Sequence, residues 1–490
     1  MTLLDNASVD AAQALIREAR ERQLRRRRRA AFLLVLAVIV GGVAYGTATR
    51  GGSGHPPLSP PPHSQPPPPP KAARPIVNPD ALRGQGTLAF VSRGALWLLG
   101  GGAGSLHELL PAADQPQRPA FSADGKWLEI SGVTHGADRI WLARADGSDL
   151  RLLPPETLSD GWSPRGHVLA VEVSPGDQPL STIEVLTPTR AGHMITRVDG
   201  SCGTVWSPDG DALAVAACDQ PTGRMTIRTY PLAGGPPTTW FSANNSRGRL
   251  DGMNELRLQP VGWWRHRGIG FWVYGDGMVH NTDQAPLDLL RSPGAIPTRL
   301  ASDPSNQNAT QISASTTGRL ALVQQTGSSG FGRLIWQDKR VETCPPASAR
   351  CTPAPAAPHT VTLDPAWSSN GHTLAYIQAP RVATDGFPSR TVHRWYAAHQ
   401  LEIYNATTGS RRTVPGSQGA SAPQWSRDGK TLLYVDDNRI WILPAHAKAP
   451  SRVAASLYSQ NVWPTYYGQV DWIGQFAWSR DVAAASPAGI

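Results

Sequence analysis

The feature that most restricts the fold of this chain is a short phrase that recurs along it. An aromatic residue is followed by Ser, two variable residues and Gly, and then by an apolar run. The clearest copies read AFSADGKWLEI from Ala120, GWSPRGHVLAV from Gly161, VWSPDGDALAV from Val205, AWSSNGHTLAY from Ala366 and QWSRDGKTLLY from Gln424. Weaker copies are GWWRHRGIGFWV from Gly262 and SASTTGRLALV from Ser313. Successive copies lie 41 to 58 residues apart. At that period each unit is one small sheet that cannot bury its faces alone, so neighbours must stack.

Each copy reads as a strand, a tight turn and a second strand. The aromatic (Phe121, Trp162, Trp206, Trp367, Trp425) ends the first strand. The Gly supplies the positive φ that other residues avoid. A third strand follows at 139–142, 182–185, 225–228, 334–336, 400–404 and 439–442, and a polar turn leads to a fourth, as in RADGSDLRLL from Arg144. The predicted fold over residues 86–482 is therefore all-β: a β-propeller of four-stranded blades, with the motif aromatics serving mainly as packing between blades. The ends of the array are complementary. The first hairpin, 87–99, lacks a preceding motif strand, and the last strand, 476–480, lacks a following hairpin. Joining them closes the ring, with Phe476 and Trp478 expected to be fully buried against the neighbouring blades, and predicts eight blades, with seven as the alternative if a degenerate unit fails.

These motifs resemble the TolB-like (WD-type) β-propeller repeat family, a resemblance that covers about 400 residues. Residues 205–210 and 425–434 match best. Glu129 interrupts the apolar strand of one copy, and the copy at Ser313 lacks the aromatic. The resemblance implies a propeller in a membrane-anchored bacterial protein; the best-known members have six blades, fewer than the count here.

The N-terminal part is of another kind. Residues 30–47, AAFLLVLAVIVGGVAYGT, carry no charge. As a helix they span about 27 Å, close to a hydrocarbon core of ~30 Å. Five consecutive Arg, 25–29, precede them and hold that end in the cytoplasm. The expected layout is a cytoplasmic basic tail (1–29) with a helical stretch at 8–23, a transmembrane helix (30–48), a Pro-rich extracytoplasmic linker (49–80) and the propeller (81–490). A cleaved signal peptide is the competing reading, against which stand the long apolar run and the long tail before it. Ten prolines in residues 56–70 favour polyproline II, a spacer that reaches about 45 Å. The net charge of +9 gives no reason to expect nucleic acid, because the first thirty residues hold eight Arg against four acids.

Four Cys form two local pairs, Cys202 with Cys218 and Cys344 with Cys351, and an extracytoplasmic location favours disulfides. No metal site and no cofactor are expected: no His lies at ligand spacing from either pair, and no HExxH, GxSxG, P-loop or dinucleotide fingerprint occurs. The cluster 263–267, WWRHR, occupies a turn position of the repeat and reads as structural. Two insertions exceed what a blade needs, 379–399 and 457–472. Their aromatics Phe387, Trp395, Tyr396, Tyr458, Trp463, Tyr466 and Tyr467 are candidate partner-binding anchors. The expected function is a tethered module that binds a protein or cell-wall ligand, or scaffolds one. The alternative is a lyase or hydrolase acting on a sugar or lactone in the central channel.

Overall fold

The computed structural model describes residues 73–479, apart from 103, 175–179, 220–221, 245–255, 276–285, 302–311, 326–338, 347, 349, 382–393, 437, 445–446 and 458–471. Among the described residues the chain forms eight four-stranded antiparallel sheets. Seven are simple meanders in chain order: blade 2 (117–152), blade 3 (157–199), blade 4 (201–244), blade 5 (256–301), blade 6 (312–353), blade 7 (360–413) and blade 8 (420–455). Blade 1 takes three strands from residues 87–110 and its first strand, Phe476–Ser479, from the other end of the sequence. That strand pairs as Leu88↔Trp478 and Phe90↔Phe476, so the ring closes as the complementary ends predict, with eight blades.

The turn motif has a common construction. The backbone N–H of Ser207 donates to the Ala212 carbonyl, and that of Gly210 to the Ser207 carbonyl. The Ser207 hydroxyl donates to Asp209 at 2.5 Å and accepts from the amides of Asp211 and Ala212. Ser122–Asp124, Ser368–Asn370 and Ser426–Asp428 repeat it. A buried Ser therefore ties each of these four turns from within, which explains a small hydroxyl there. Gly210 is needed twice over: its φ is +76°, and a Cβ would lie 2.5 Å from the Ser163 hydroxyl of the preceding blade.

Adjacent blades are latched by the motif indoles. Trp162 Nε1 donates to the Ala120 carbonyl at 3.0 Å, Trp206 to Gly161 at 2.9 Å and Trp425 to Ala366 at 3.0 Å. In each pair the acceptor is the residue just before the preceding blade's own aromatic. The core is distributed as clusters between neighbouring sheets, such as Ile227, Phe241, Leu258 and Phe271 between blades 4 and 5.

Both expected disulfides form, Cys202–Cys218 and Cys344–Cys351. Three expectations need correction. The third strand of blade 6, expected at 334–336, is Lys339–Cys344, which pairs with Leu320–Gln325; residues 334–336 lie outside the described residues. Trp478, expected to be fully buried at the closure, is only partly so, whereas Phe476 is 1% exposed. The folded part also begins before residue 81. Val77 bridges Ala454, and Asn78 N–H donates to the Val453 carbonyl, covering the outer edge of blade 8 before the short helix Pro79–Leu82. No helix among the described residues is long and apolar enough to cross a membrane; residues 30–48 lie outside them.

Candidate functional site: a cavity on the propeller axis

Strand order assigns each connection to one of two ends of the ring. Every first strand runs toward the motif turns, here the turn face, and the second returns. Connections between second and third strands, and those between blades, therefore lie at the opposite end, the loop face. All connections of ten residues or more between consecutive described strands are of these two kinds. The described strands that flank the two aromatic-rich insertions meet them at the loop face.

First strands of most successive blades pack on one another around the axis, those of blades 1–2, 2–3, 3–4, 4–5, 6–7 and 7–8. As edge strands they have backbone amides with no ladder partner on the axial side, so proline is tolerated there. Pro119, Pro365 and Pro423 each stand two residues before the motif aromatic. A local bulge accompanies each, with positive φ at Arg118, Asp364 and Ala422.

At the turn face these strands enclose a cavity of about 490 Å³, lined by residues of blades 1, 2, 3, 6 and 8. Its walls are aromatic, Phe121, Trp425 and Trp478, with Pro119 and Pro164, and the almost wholly buried Phe476 lies behind them. Its polar groups are neutral, chiefly Ser122, Thr316, Gln424, Ser426 and Ser479. Arg427 is the one ionisable side chain among the described lining residues. Its Nη1 donates to the Ala123 carbonyl, bridging blades 8 and 2 across the closing strand. Trp478 Nε1 donates to the Gln85 carbonyl at 2.6 Å and Trp425 Nε1 to Ala366, so both indoles offer the cavity ring surface rather than a free N–H. Apolar walls with few polar groups suit ligand binding. General acid–base chemistry uses a positioned carboxyl, imidazole, amine, phenol or thiol, and the described lining residues include none.

The strongly perturbed titratable groups lie elsewhere, in blade seams. Glu129, 4% exposed, is pushed up to about 7 by burial, against the Ser159 hydroxyl and with the Asp160 charge adding. Asp160, on the first strand of blade 3, is likewise pushed up to about 7 by burial and by Glu172. Lys339 is pushed down to about 8 by burial, opposed by Asp364. None of these lines the cavity. No group of three or more His, Cys, Asp or Glu among the described residues could hold a metal ion.

The insertion aromatics divide. Trp395, expected as an exposed anchor, is 4% exposed and belongs to the core between blades 7 and 8. Its Nε1 donates to the Pro380 carbonyl at 2.9 Å, and its ring meets Tyr396 and His399 edge-on at 5.4 and 4.3 Å. Tyr396 is partly buried against the same core. An indole packed into this core has almost no surface left to offer a partner. Trp472 is also core, between blades 8 and 1. Phe387, Tyr458, Trp463, Tyr466 and Tyr467 lie outside the described residues. The motif spacing marks Phe121 and Trp425 as packing aromatics, and Trp425 and Trp478 do pack; the cavity arises only when the ring brings their exposed sides together. The missed signal was the proline two residues before the aromatic, which marks the axial edge.

No protein-family model matches the chain, and no curated protein does. Similar solved structures include a prolyl endopeptidase (14% identity, TM-score 0.44, covering 69% of this chain and 50% of that one). They include an oligogalacturonate lyase in complex with manganese (14%, 0.43, covering 76% and 96%). TolB from Acinetobacter baumannii is a third (14%, 0.31, covering 76% and 64%). This chain thus spans half the length of the prolyl endopeptidase.

Proposed function

We propose that this protein is a membrane-tethered, extracytoplasmic recognition propeller that takes a ligand into its axial cavity at the turn face. The observation that carries this reading is the cavity of about 490 Å³ with aromatic walls and a single cation, Arg427, among its described lining residues. That chemistry retains a ligand; it does not move protons. The ligand is a protein segment or cell-envelope component. Residues 30–48 are the anchor, the Arg run 25–29 keeps the tail in the cytoplasm, and the Pro-rich linker sets the height of the ring above the membrane.

Site-specific photocrosslinking in membranes tests the binding part. A crosslinker at Thr316, on the cavity lining, should give a discrete adduct that disappears with Trp425→Ala. A crosslinker at Leu152, on the outer strand of blade 2, should not give it. The same adducts from both positions would refute a specific axial site. Topology is tested separately by protease added to intact spheroplasts. The propeller should be cut without permeabilisation, and complete protection would refute the extracytoplasmic placement.

A further inference from the structure

What the axial cavity can hold depends on which of its polar side chains are still free. Most are spent inside the protein. The hydroxyls of Ser122 and Ser426 each donate to the aspartate of their own turn and accept a backbone N–H, from Trp127 and Thr431. Thr316 donates to the Ser369 carbonyl at 2.6 Å and Ser479 to that of Gly125 at 3.4 Å. The indole N–H groups of Trp425 and Trp478 are taken by carbonyls. Two side chains remain. Gln424 is partly exposed, and its amide makes no hydrogen bond among the described residues. Arg427 is exposed and commits Nη1 to the Ala123 carbonyl, which leaves its side-on fork, Nε with Nη2, for a ligand.

The charge around the cavity has one sign. The described motif turns that reach it, 122–126, 163–167, 315–319 and 426–430, hold five cations, Lys126, Arg165, Arg319, Arg427 and Lys430, against two acids, Asp124 and Asp428. That surplus counts no histidine. Both acids face their own turns: Asp124 accepts from Ser122 and the Lys126 amide, Asp428 from Ser426 and the Lys430 amide. A low-dielectric cleft rimmed by positive charge draws in an anion. The rest of the ligand is set by the walls. A sugar would bring several hydroxyls to side chains whose own hydroxyls are spent, and each one left unpaired costs free energy. An apolar or aromatic body lies on the ring faces of Trp425 and Trp478 without that cost. One carboxylate then matches the free fork of Arg427, which can hold it by two parallel N–H bonds.

We propose that the axial cavity selects an apolar carboxylate: its body against Phe121, Trp425 and Trp478, its carboxylate on Arg427, and a neighbouring amide, where it has one, on Gln424. A free organic acid and the C-terminal residue of a protein share this chemistry. The assignment rests on the cavity being the ligand site. The test is fluorine NMR on the full chain in detergent. N-acetyl-4-fluorophenylalanine should bind about tenfold or more tightly than its uncharged carboxamide, and glucuronate, a carboxylate without an apolar body, should not displace it. Arg427→Gln should bring the acid down to the level of the carboxamide, whose own binding stays the same. Arg427→Lys, which keeps the charge and loses the fork, should recover only part of the difference. Tighter binding of Ala-Ala-4-fluorophenylalanine than of 3-(4-fluorophenyl)propanoate would assign the site to a chain terminus read through Gln424; equal binding would assign it to a free acid. Equal binding of acid and carboxamide by the native chain, displacement by glucuronate, or acid binding unchanged in Arg427→Gln would overturn the proposal. The native-chain comparisons decide it even if the variants do not fold. A Thr316 crosslink that forms normally while the acid fails to bind would remove the carboxylate and leave the cavity reading standing; absence of that crosslink would remove the cavity reading itself.

Discussion

Arg267 Nη2 donates to the Cys344 carbonyl at 2.8 Å. The same guanidinium reaches Pro345, Ser348 at 2.9 Å and Gly318 at 2.8 Å, so three of its four acceptors lie within the ring closed by Cys344–Cys351. Arg267 is 2% exposed, and every partner it is seen to bond is a main-chain carbonyl. A small covalent ring on blade 6 thus holds a buried cation from the turn of blade 5. Opening the ring should cost more than its own loop entropy. For a ring of this size that entropy is roughly 2.5 kcal/mol, and a charge left with loosened acceptors adds to it. Cys344→Ser with Cys351→Ser should therefore destabilise the native chain more than it destabilises an Arg267→Met background. A double-mutant cycle by urea unfolding measures the difference; strictly additive costs would show that the ring does not support the arginine.

The indole latches give a second contrast. Trp206 Nε1 donates to Gly161, whereas Trp367 Nε1 is buried with no hydrogen-bond partner among the described residues. The blade before Trp367 is the one whose motif lacks the aromatic, and its first strand is only Ile312–Ala314. Trp206→Phe should then lose a hydrogen bond worth about 0.5–1.5 kcal/mol beyond the packing lost, and Trp367→Phe should lose packing alone. Trp206→Phe is expected to lower the melting temperature more, and the reverse order would deny the latch.

Stability should also depend on pH through Glu129. In the fold its pKa is raised to about 7, chiefly by burial, from a reference of 4.5. Between those values the folded chain holds a proton that the unfolded chain has released, so stability falls as pH rises through that window. His399 acts in the opposite sense: burial lowers its pKa to about 4, against its hydrogen bond to the Ala420 carbonyl, so it is protonated more readily when unfolded and stability rises from pH 4 to 6.5. Glu129→Gln isolates the first effect. The variant's melting temperature should gain on the wild type as pH goes from 4.5 to 7.5, and a constant offset would refute the buried-acid account.

Much of this architecture was legible because its determinants are local and repeated. Ser207, Asp209 and Gly210 build a turn from six residues, so each copy declares itself. Blade 6 folds without its aromatic because its second strand, Leu320–Gln325, still alternates into the cores on either side. What could not be read depends on ring geometry. Trp395 looked like a loop anchor, and only the seam between blades 7 and 8 reveals it as core. The cavity joins Phe121 to Phe476, residues 355 positions apart in sequence, through closure alone. Arg267 sits in a charged cluster, WWRHR, and its role depends on a disulfide loop about eighty residues later.

Closure itself makes the strongest prediction. The strand Phe476–Ser479 pairs with Thr87–Ser92 in the register Thr87↔Ser479, Leu88↔Trp478, Ala89↔Ala477 and Phe90↔Phe476. It also packs against Gln117–Phe121 of blade 2, and Trp478 Nε1 donates to Gln85. Without it Thr87–Ser92 would become an open axial edge, and the seam between blades 8 and 2 would lose its wedge. Phe476 is 1% exposed, so its burial alone is worth roughly 1.5–3 kcal/mol, and the half-buried Trp478 contributes less than that. With the backbone ladder, removal of residues 471–490 should cost several kcal/mol, a large part of ordinary domain stability. Removal of 483–490 alone, beyond the strand, should cost little. The comparison is thermal melting of both truncations beside the full chain. Because the strand also lines the axial cavity, the longer truncation should lose the Thr316 crosslink while the shorter keeps it. Equal melting of all three proteins would mean that the paired ends do not hold the ring closed.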